Sequence, residues 1–291
     1  MLQILNILIS LVLAREPYRI AVIDSGFDFT KETNFSLCRG THANFSNMST
    51  AQLDQSEKSQ FKRTQKSVFD LFSRASNPNV GLKKPPKDTA ISKHGTNVAH
   101  IIGNYLKDLP KDSYCISIIN YYQDIDLNLG DNQNFLITEV AAFIYASGYA
   151  DIINFSGNGP EKDFYENAVI KQILNKKKTK IVVAAGNSGL DISKKSEHKT
   201  YPASVDSRLI VVGSMDNKGN ISTFSNRGDI VYTLEVGESV TAGGVTLSGT
   251  SQAAPKTTAK IARAAILERL KNERSAKKIT NGKEKREAHS R

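Results

Sequence analysis

Four polar residues of the sequence stand where an apolar run gives way to a glycine turn or to the start of a helical pattern. Asp24 ends the run in AVIDSG, and His94 opens HGTNVA. Asn187 follows VVAAG, and Ser251 lies in SGTSQAAP. An acid, a base, an amide donor and a hydroxyl are the groups that nucleophilic catalysis through an oxyanion requires. These residues are the candidates for a reacting site.

Each candidate also has a purely structural interpretation. Asp24 could close an Asx turn, Asn187 could hold a left-handed turn, and Ser251 could cap the helix that follows it. His94 lies near a predicted helix N-terminus, where the helix dipole favours a neutral imidazole, as a general base must be. His100 lacks this setting and is interpreted as a packed or surface histidine. The candidates gain weight only if the fold brings them together.

Short, β-branched apolar runs alternate with longer amphipathic stretches along most of the chain. Strands are predicted at Tyr18–Asp24, Ser113–Tyr122, Asp151–Ser156, Lys180–Ala185 and Arg208–Gly213. Helices are predicted at His94–Lys107, Gln133–Ala150, Asp163–Lys177 and about Thr250–Asn272. This order predicts an α/β, doubly wound, mostly parallel sheet with helices on both faces. Right-handed crossovers then place the carboxyl ends of the strands, and the four candidates, at one edge of the sheet.

Three segments depart from this alternation. Residues 229–247 read as short strands with glycine turns, which predicts an antiparallel ribbon before the last helix. Residues 35–90 are rich in Asn, Ser and Lys and are interpreted as a polar surface insertion, with one short helix around 61–72. Residues 271–291 form a charged tail that we expect to be disordered. The rest of 15–270 is predicted to form one domain.

The net charge of +10 is concentrated in two segments. Residues 56–88 carry eight basic and three acidic side chains, and residues 271–291 carry the same numbers. The basic charge therefore lies in the insertion and the tail rather than on a folded face with interleaved aromatic residues. This distribution argues against specific nucleic-acid binding as the main function.

The first fourteen residues, MLQILNILISLVLA, are almost all apolar. They are too few to span a bilayer, which needs about 20 residues, so no stable membrane span is expected. Their length fits a signal peptide cleaved after Ala14, although no Lys or Arg precedes the apolar run. A secreted or periplasmic protein is expected, with a packed N-terminal element in a cytoplasmic protein as the alternative. Cys38 and Cys115 fit either one disulfide or two unpaired thiols.

Taken together, the four motifs resemble those of the subtilases, the subtilisin-like serine proteases of peptidase family S8. The order Asp, His, Ser along the chain is that of subtilisin. A further segment, INFSGNGP at 153–160, is similar to the family's substrate-binding segment. The resemblance covers about residues 18–270 and implies a subtilisin-like three-layer fold and serine endopeptidase activity on protein or peptide substrates.

The resemblance also implies a role for each matching residue. Ser251 would be the nucleophile, His94 the general base and Asp24 the residue that orients it. The Asn187 side chain and the Ser251 backbone N–H would form the oxyanion hole. The remaining role, binding an extended substrate, would fall to Ser156, Gly157 and Asn158. This chemistry needs no cofactor and no metal, and a monomer is expected.

The sequence departs from the family in four places. Only about sixteen residues precede the first strand, so a folded propeptide is not evident. The interval from Asp24 to His94 is widened by the insertion, and the loop that binds structural calcium in several relatives is not found. Position 252 is Gln, where the family usually has Met. A catalytically silent subtilase that binds peptides is the alternative function, but retention of all four candidate residues argues against it.

Overall fold

The computed structural model describes residues 16–30, 32–46, 80–88, 90–122, 132–160, 162–176 and 178–289. In these residues the strands are β1 (Tyr18–Asp24), β2 (Ala43–Asn44), β3 (Tyr114–Asn120), β4 (Ile152–Phe155), β5 (Lys180–Ala184), β6 (Ile210–Met215), β7 (Thr233–Val236), β8 (Val240–Ala242) and β9 (Val245–Leu247). The helices are α1 (His94–Leu106), α2 (Asn132–Ser147), α3 (Phe164–Lys176) and α4 (Thr250–His289). Strands β1 to β7 form one parallel sheet in the order β2-β3-β1-β4-β5-β6-β7.

Successive side chains of β1 point to opposite faces of the sheet, and both faces are buried. Ile20 and Val22 lie in a core with residues of α1 and α4, while Ala21 and Ile23 lie in a second core with residues of α2 and α3. This period of two explains why β1 is apolar almost throughout, as buried parallel strands are. The predicted doubly wound α/β fold with helices on both faces is confirmed.

The predicted ribbon over 229–247 is only partly right. Strands β8 and β9 pair antiparallel as expected, but β7 joins the edge of the main sheet in parallel with β6. The sixth strand also begins two residues later than predicted, at Ile210, and continues to Met215. The local sequence does not reveal these differences because they depend on which neighbour each strand finds.

Both ends of the predicted surface insertion are part of the folded core. Strand β2 pairs with β3, and Cys38 forms a disulfide with Cys115, so the bridge that the sequence left open is made. His42 is fully buried and accepts a hydrogen bond from the Ile118 N–H, and burial lowers the pKa of His42 to about 4. Residues 47–79, with the short helix predicted around 61–72, lie outside the described residues.

Helix α4 runs 40 residues to His289, well past the predicted end near Asn272. The tail that we expected to be disordered is therefore helical in the structure over 271–289. Lys, Arg, Glu and Ala dominate this segment, and these residue types have high helix propensity, which outweighed the charge density that suggested disorder. None of the helices in the described ranges is both long and apolar enough to cross a bilayer.

Candidate active site

Asp24 and His94 meet at the carboxyl edge of the sheet, as predicted. Asp24 is the last residue of β1 and His94 the first of α1. The Nδ1 atom of His94 lies 2.8 Å from Oδ1 and 3.1 Å from Oδ2 of Asp24. Asp24 is only 2% exposed and accepts a further hydrogen bond of 2.8 Å from the Ser25 N–H. A buried carboxylate with two such donors holds the imidazole in one orientation.

The pKa of His94 is set by two opposing effects. Burial of the ring lowers the pKa, because it penalises the charged form. The charge of Asp24, its hydrogen bond to the ring and the charge of Asp88 raise it. The second group of effects prevails, so the pKa of His94 lies above its usual value of 6.5. The site therefore favours a positive charge on this ring, whereas the helix N-terminus alone was expected to favour the neutral form, because two nearby carboxylates outweigh the other effects.

Asp88 is a second buried carboxylate at this site, and it is not among the site residues predicted from the sequence. It is 0% exposed, and its oxygens accept from the Ser25 hydroxyl at 2.9 Å and the Thr96 N–H at 2.9 Å. The Thr96 hydroxyl donates to it as well, at 2.6 Å. The N-cap residue of α1, Lys93, makes no side-chain capping hydrogen bond. Asp88, which precedes His94 by six residues, caps the first turn of the helix in its place.

The start of α1 packs directly on the turn that follows β1. A Cβ on Gly95 would lie 2.5 Å from the carbonyl oxygen of Gly26, so only glycine allows this approach. The Gly95 N–H donates to the Ser25 hydroxyl at 3.0 Å. Ser25 also bonds to Asp88, so one hydroxyl links the carboxylate, the turn and the helix. The glycine of the HGTNVA motif is therefore needed for this contact.

Ser251 lies in the first turn of α4 and is 7% exposed. Its hydroxyl donates to the Ser156 carbonyl oxygen at 2.8 Å, and the Ser156 hydroxyl donates to the Ser251 carbonyl oxygen at 3.0 Å. In the described part of the chain no hydrogen bond joins Ser251 to His94. The structure therefore places the candidate nucleophile against the predicted substrate-binding segment rather than in a bond with the candidate base.

Asn187 is exposed and lies beside the start of α4. Its carbonyl oxygen accepts from the N–H of Thr250 at 2.8 Å and from the Thr250 hydroxyl at 2.9 Å. A backbone N–H can only donate, so this contact fixes which side of the amide is oxygen. The NH₂ group of Asn187 is then the side turned away from Thr250. Among the described residues this NH₂ group donates no hydrogen bond.

Gln252 is buried, at 1% exposure, and it has a partner. Its Nε2 donates to the Asn97 side-chain oxygen at 3.3 Å, and Asn97 Nδ2 in turn donates to the Ala242 carbonyl at 3.0 Å and the Val245 carbonyl at 3.2 Å. The glutamine therefore connects α4 to α1 and, through Asn97, to the β8–β9 hairpin. The buried polar side chain of Gln252 is accommodated because the residue facing it, Asn97, is also an amide and can accept its hydrogen bond.

The predicted substrate-binding residues follow β4 directly. Ser156 is 3% exposed, whereas Asn158 is exposed. The next residue, Gly159, pairs with Tyr201 through two backbone hydrogen bonds of 2.9 and 2.8 Å. This pairing fixes the residue that directly follows 156–158 to the segment around Tyr201.

No three His, Cys, Asp or Glu side chains in the described ranges lie together in a way that could hold a metal ion. The expectation about structural calcium is not tested by this observation and stays a prediction.

Solved structures with the same fold include several proteases. A cold adapted subtilisin-like serine proteinase is similar with 22% identity and a TM-score of 0.56, covering 87% of this chain and 76% of that one. The self-cleaved protease domain of PatA matches with 23% identity and a TM-score of 0.53, covering 85% and 80%. The prenylagaramide maturation protease PagA matches with 22% identity and a TM-score of 0.55, covering 93% and 82%. At this identity the likeness shows the fold.

A comparison with curated proteins finds no match. A family model does match, and it covers most of the chain. The model described as the subtilase family, peptidase S8, matches residues 18–281, which include all four candidate residues. The resemblance seen in the motifs is thereby confirmed, and the chain belongs to the subtilase family.

Proposed function

We propose that the chain is a serine endopeptidase that hydrolyses peptide bonds through an acyl-enzyme formed on Ser251. The observation that carries the proposal is the contact of 2.8 Å between His94 Nδ1 and Asp24 Oδ1. A carboxylate can only accept, so this contact puts the ring proton on Nδ1 and leaves a lone pair on Nε2. An imidazole fixed in that tautomer is a general base for a neighbouring hydroxyl.

For Ser251 to act as the nucleophile, its side chain must change rotamer so that the hydroxyl leaves the Ser156 carbonyl and faces His94. The Ser251 hydroxyl donates to the Ser156 carbonyl, which is also the group that an extended substrate would pair with through its own N–H. Binding of substrate along 156–158 then displaces the hydroxyl, which turns about its Cα–Cβ bond toward His94 Nε2. Activation of the serine is thus coupled to occupation of the substrate-binding segment.

The reaction then proceeds in two halves. The Ser251 oxygen attacks the scissile carbonyl carbon while His94 takes the hydroxyl proton, and Asp24 stabilises the imidazolium that forms. His94 returns the proton to the amine, which leaves as the C–N bond breaks. A water molecule gives its proton to His94 and attacks the ester carbon, and the ester bond to Ser251 breaks as the serine is protonated again.

The oxyanion of each tetrahedral intermediate would be held by two donors. One is the NH₂ group of Asn187, whose carbonyl oxygen is fixed by Thr250. The other is the backbone N–H of Ser251, which lies in the first turn of α4, where the helix has N–H groups without helical partners. Both donors and the helix dipole favour negative charge at the same point.

The test is hydrolysis of an unfolded protein substrate by wild-type protein and by Ser251→Ala. Loss of the nucleophile is expected to lower kcat by about 10⁶-fold. Ser207→Ala, which removes a hydroxyl from an exposed turn, is the matched control and keeps wild-type activity. Equal hydrolysis by wild type and Ser251→Ala would contradict the proposal.

The second candidate is a catalytically silent subtilase that binds peptides along 156–158. The hydroxyl of Ser251, bonded to Ser156 rather than to His94, is the observation that favours it. Folded wild-type protein that binds an unfolded chain but leaves it intact would support this function over the peptidase.

A further inference from the structure

The side chain of Asn158 lies in the gap between the two segments that flank Ser251. Asn158 belongs to the segment after β4, and Gly186 belongs to the segment after β5, the parallel neighbour of β4. An ideal Cβ placed on Gly186 would lie only 3.3 Å from Oδ1 of Asn158. The asparagine therefore reaches from one segment across to the other.

The direction of this side chain follows from the contacts around 156–158. A Cβ on Gly157 would lie 2.6 Å from the ring of Phe155 and 2.7 Å from the hydroxyl of Tyr121, so position 157 faces the interior behind the segment. Ser156 faces the other way and bonds to Ser251. Oδ1 of Asn158 reaches toward Gly186, and Asn187 beside it bonds to Thr250, so Asn158 points to the side of the nucleophile.

The floor of the gap is formed by Thr200 and Asn226. The same Cβ position on Gly186 lies 3.1 Å from the Thr200 methyl group and 2.5 Å from Asn226 Nδ2. Thr200 is 5% exposed and Asn226 is 1% exposed. Asn226 Nδ2 donates to the Ala185 carbonyl and the Thr200 hydroxyl, and its oxygen accepts two backbone N–H groups of the 185–190 loop. Because both ends of the Asn226 amide are hydrogen-bonded, Asn226 cannot move aside to make room for a large substrate side chain.

We infer that Asn158 closes the pocket for the substrate residue that precedes the scissile bond, and that this residue must be Gly, Ala or Ser. The inference rests on the proposed peptidase function and adds its substrate class. A substrate extended along 156–158 with its carbonyl at Ser251 directs this side chain into the gap between the two segments. A methyl or hydroxymethyl group fits beside the asparagine, whereas a phenyl ring needs the space that the asparagine fills.

The block is steric and is removed with the side chain. Asn158 is exposed, and among the described residues its amide makes no hydrogen bond. Its truncation therefore disturbs no polar network, while Thr200 and Asn226 keep the floor in place. The specificity of the enzyme should respond to Asn158 far more than its fold does.

The experiment uses two quenched fluorescent peptides that differ only in having Ala or Phe before the scissile bond. Wild-type protein is expected to favour Ala by roughly 100-fold in kcat/KM. In Asn158→Gly the ratio of Phe to Ala rises by at least about 10-fold, and in Asn158→Ala it rises by less. Asn217→Gly, the same change in an exposed turn after β6, leaves the ratio at its wild-type value.

Two results would overturn the inference while leaving the peptidase function intact. One is a wild-type protein that cleaves the Phe peptide as well as the Ala peptide. The other is a Phe to Ala ratio that stays the same in Asn158→Gly. Cleavage of neither peptide by protein that also resists a fluorophosphonate would instead refute the proposed function, and the inference with it.

Discussion

The two halves of the site are built alike but supported differently. On one side, the end of β1 meets the N-terminus of α1, and the buried carboxylates Asp24 and Asp88 hold His94 and its helix. On the other side, the N-terminus of α4 bonds to neutral groups: Ser251 to the Ser156 carbonyl and hydroxyl, and Thr250 to the Asn187 amide. We call these the His94 half and the Ser251 half.

The difference follows from the charge that each half would have to stabilise. In the proposed reaction His94 becomes positive, and two carboxylates favour that charge. The Ser251 half would hold an oxyanion, and a nearby carboxylate would oppose it, so amide and N–H donors are the suitable support. Gln252 and Asn97 join α4 to α1 by a neutral hydrogen bond, so the halves are connected without an added charge.

Asp24→Asn is expected to have the largest effect on the His94 half. An amide at this position can donate to Nδ1 and so favour the wrong tautomer, with kcat falling by about 10⁴-fold. The measurement is hydrolysis of a peptide with Ala before the scissile bond. Activity within 10-fold of wild type would remove Asp24 from its proposed role.

Asn187→Ala tests the Ser251 half in the same way. Loss of one oxyanion donor is expected to lower kcat by about 10²–10³-fold. KM should change little, because the donor acts in the transition state rather than on the bound substrate. A rise in KM with kcat unchanged would show that Asn187 binds substrate instead.

Asp88→Asn should change the pH dependence of kcat/KM, because the charge it removes acts on the His94 half. The Asp88 charge raises the pKa of His94, so its removal lowers that pKa. The base is then neutral at lower pH, and the acidic limb of kcat/KM moves to lower pH. Misplacement of the α1 terminus should also lower kcat, by up to about 10²-fold.

The matched control for Asp88 is Asp112→Asn, at an exposed position before β3. It removes the same charge from the chain without touching α1, so neither kcat nor the pH profile should change. An acidic limb that stays in place in Asp88→Asn would contradict an electrostatic role for Asp88 in the His94 half.

Gln252→Met should have the smallest effect, since it cuts the link between the halves and leaves both intact. The Asn97 oxygen is then buried without its partner, which should cost about 1–3 kcal/mol of stability. We expect Tm to fall by roughly 2–10 °C, with kcat within about 10-fold of wild type. Gln172→Met, on the half-buried side of α3, is the control and should leave Tm nearly unchanged.

Most strands of the main sheet, the helices and four residues of the two halves could be predicted from the sequence because their signals are local. Asp24 ends β1, His94 begins α1, Asn187 follows shortly after β5 and Ser251 is the second residue of α4, and the apolar pattern of each element is visible in a few residues. Parallel topology then places those ends at one edge of the sheet. The signal peptide expected at 1–14 lies outside the described residues and stays a prediction.

What the sequence did not reveal depends on contacts between distant segments. Asp88 lies in a polar stretch with no motif, and only the fold shows that it caps α1. The pairing of Cys38 with Cys115 needs β3 to pass beside the segment after Asp24. The partner of Gln252 is 155 residues away along the chain. The sequence does show that Lys93, the residue before α1, has no side-chain oxygen to accept a backbone N–H, so a cap from elsewhere is expected, but it does not show which residue supplies it.

The most direct test of the proposed function is to locate the adduct of a fluorophosphonate by mass spectrometry of digested native protein. Such a probe reacts with a serine only where a base activates the hydroxyl and donors receive the oxyanion, so it requires both halves together. We expect one adduct, on the peptide that contains Ser251, and no adduct in Asp24→Asn or in heat-unfolded protein. An unmodified Ser251 in folded wild-type protein, or an adduct on another serine, would contradict it.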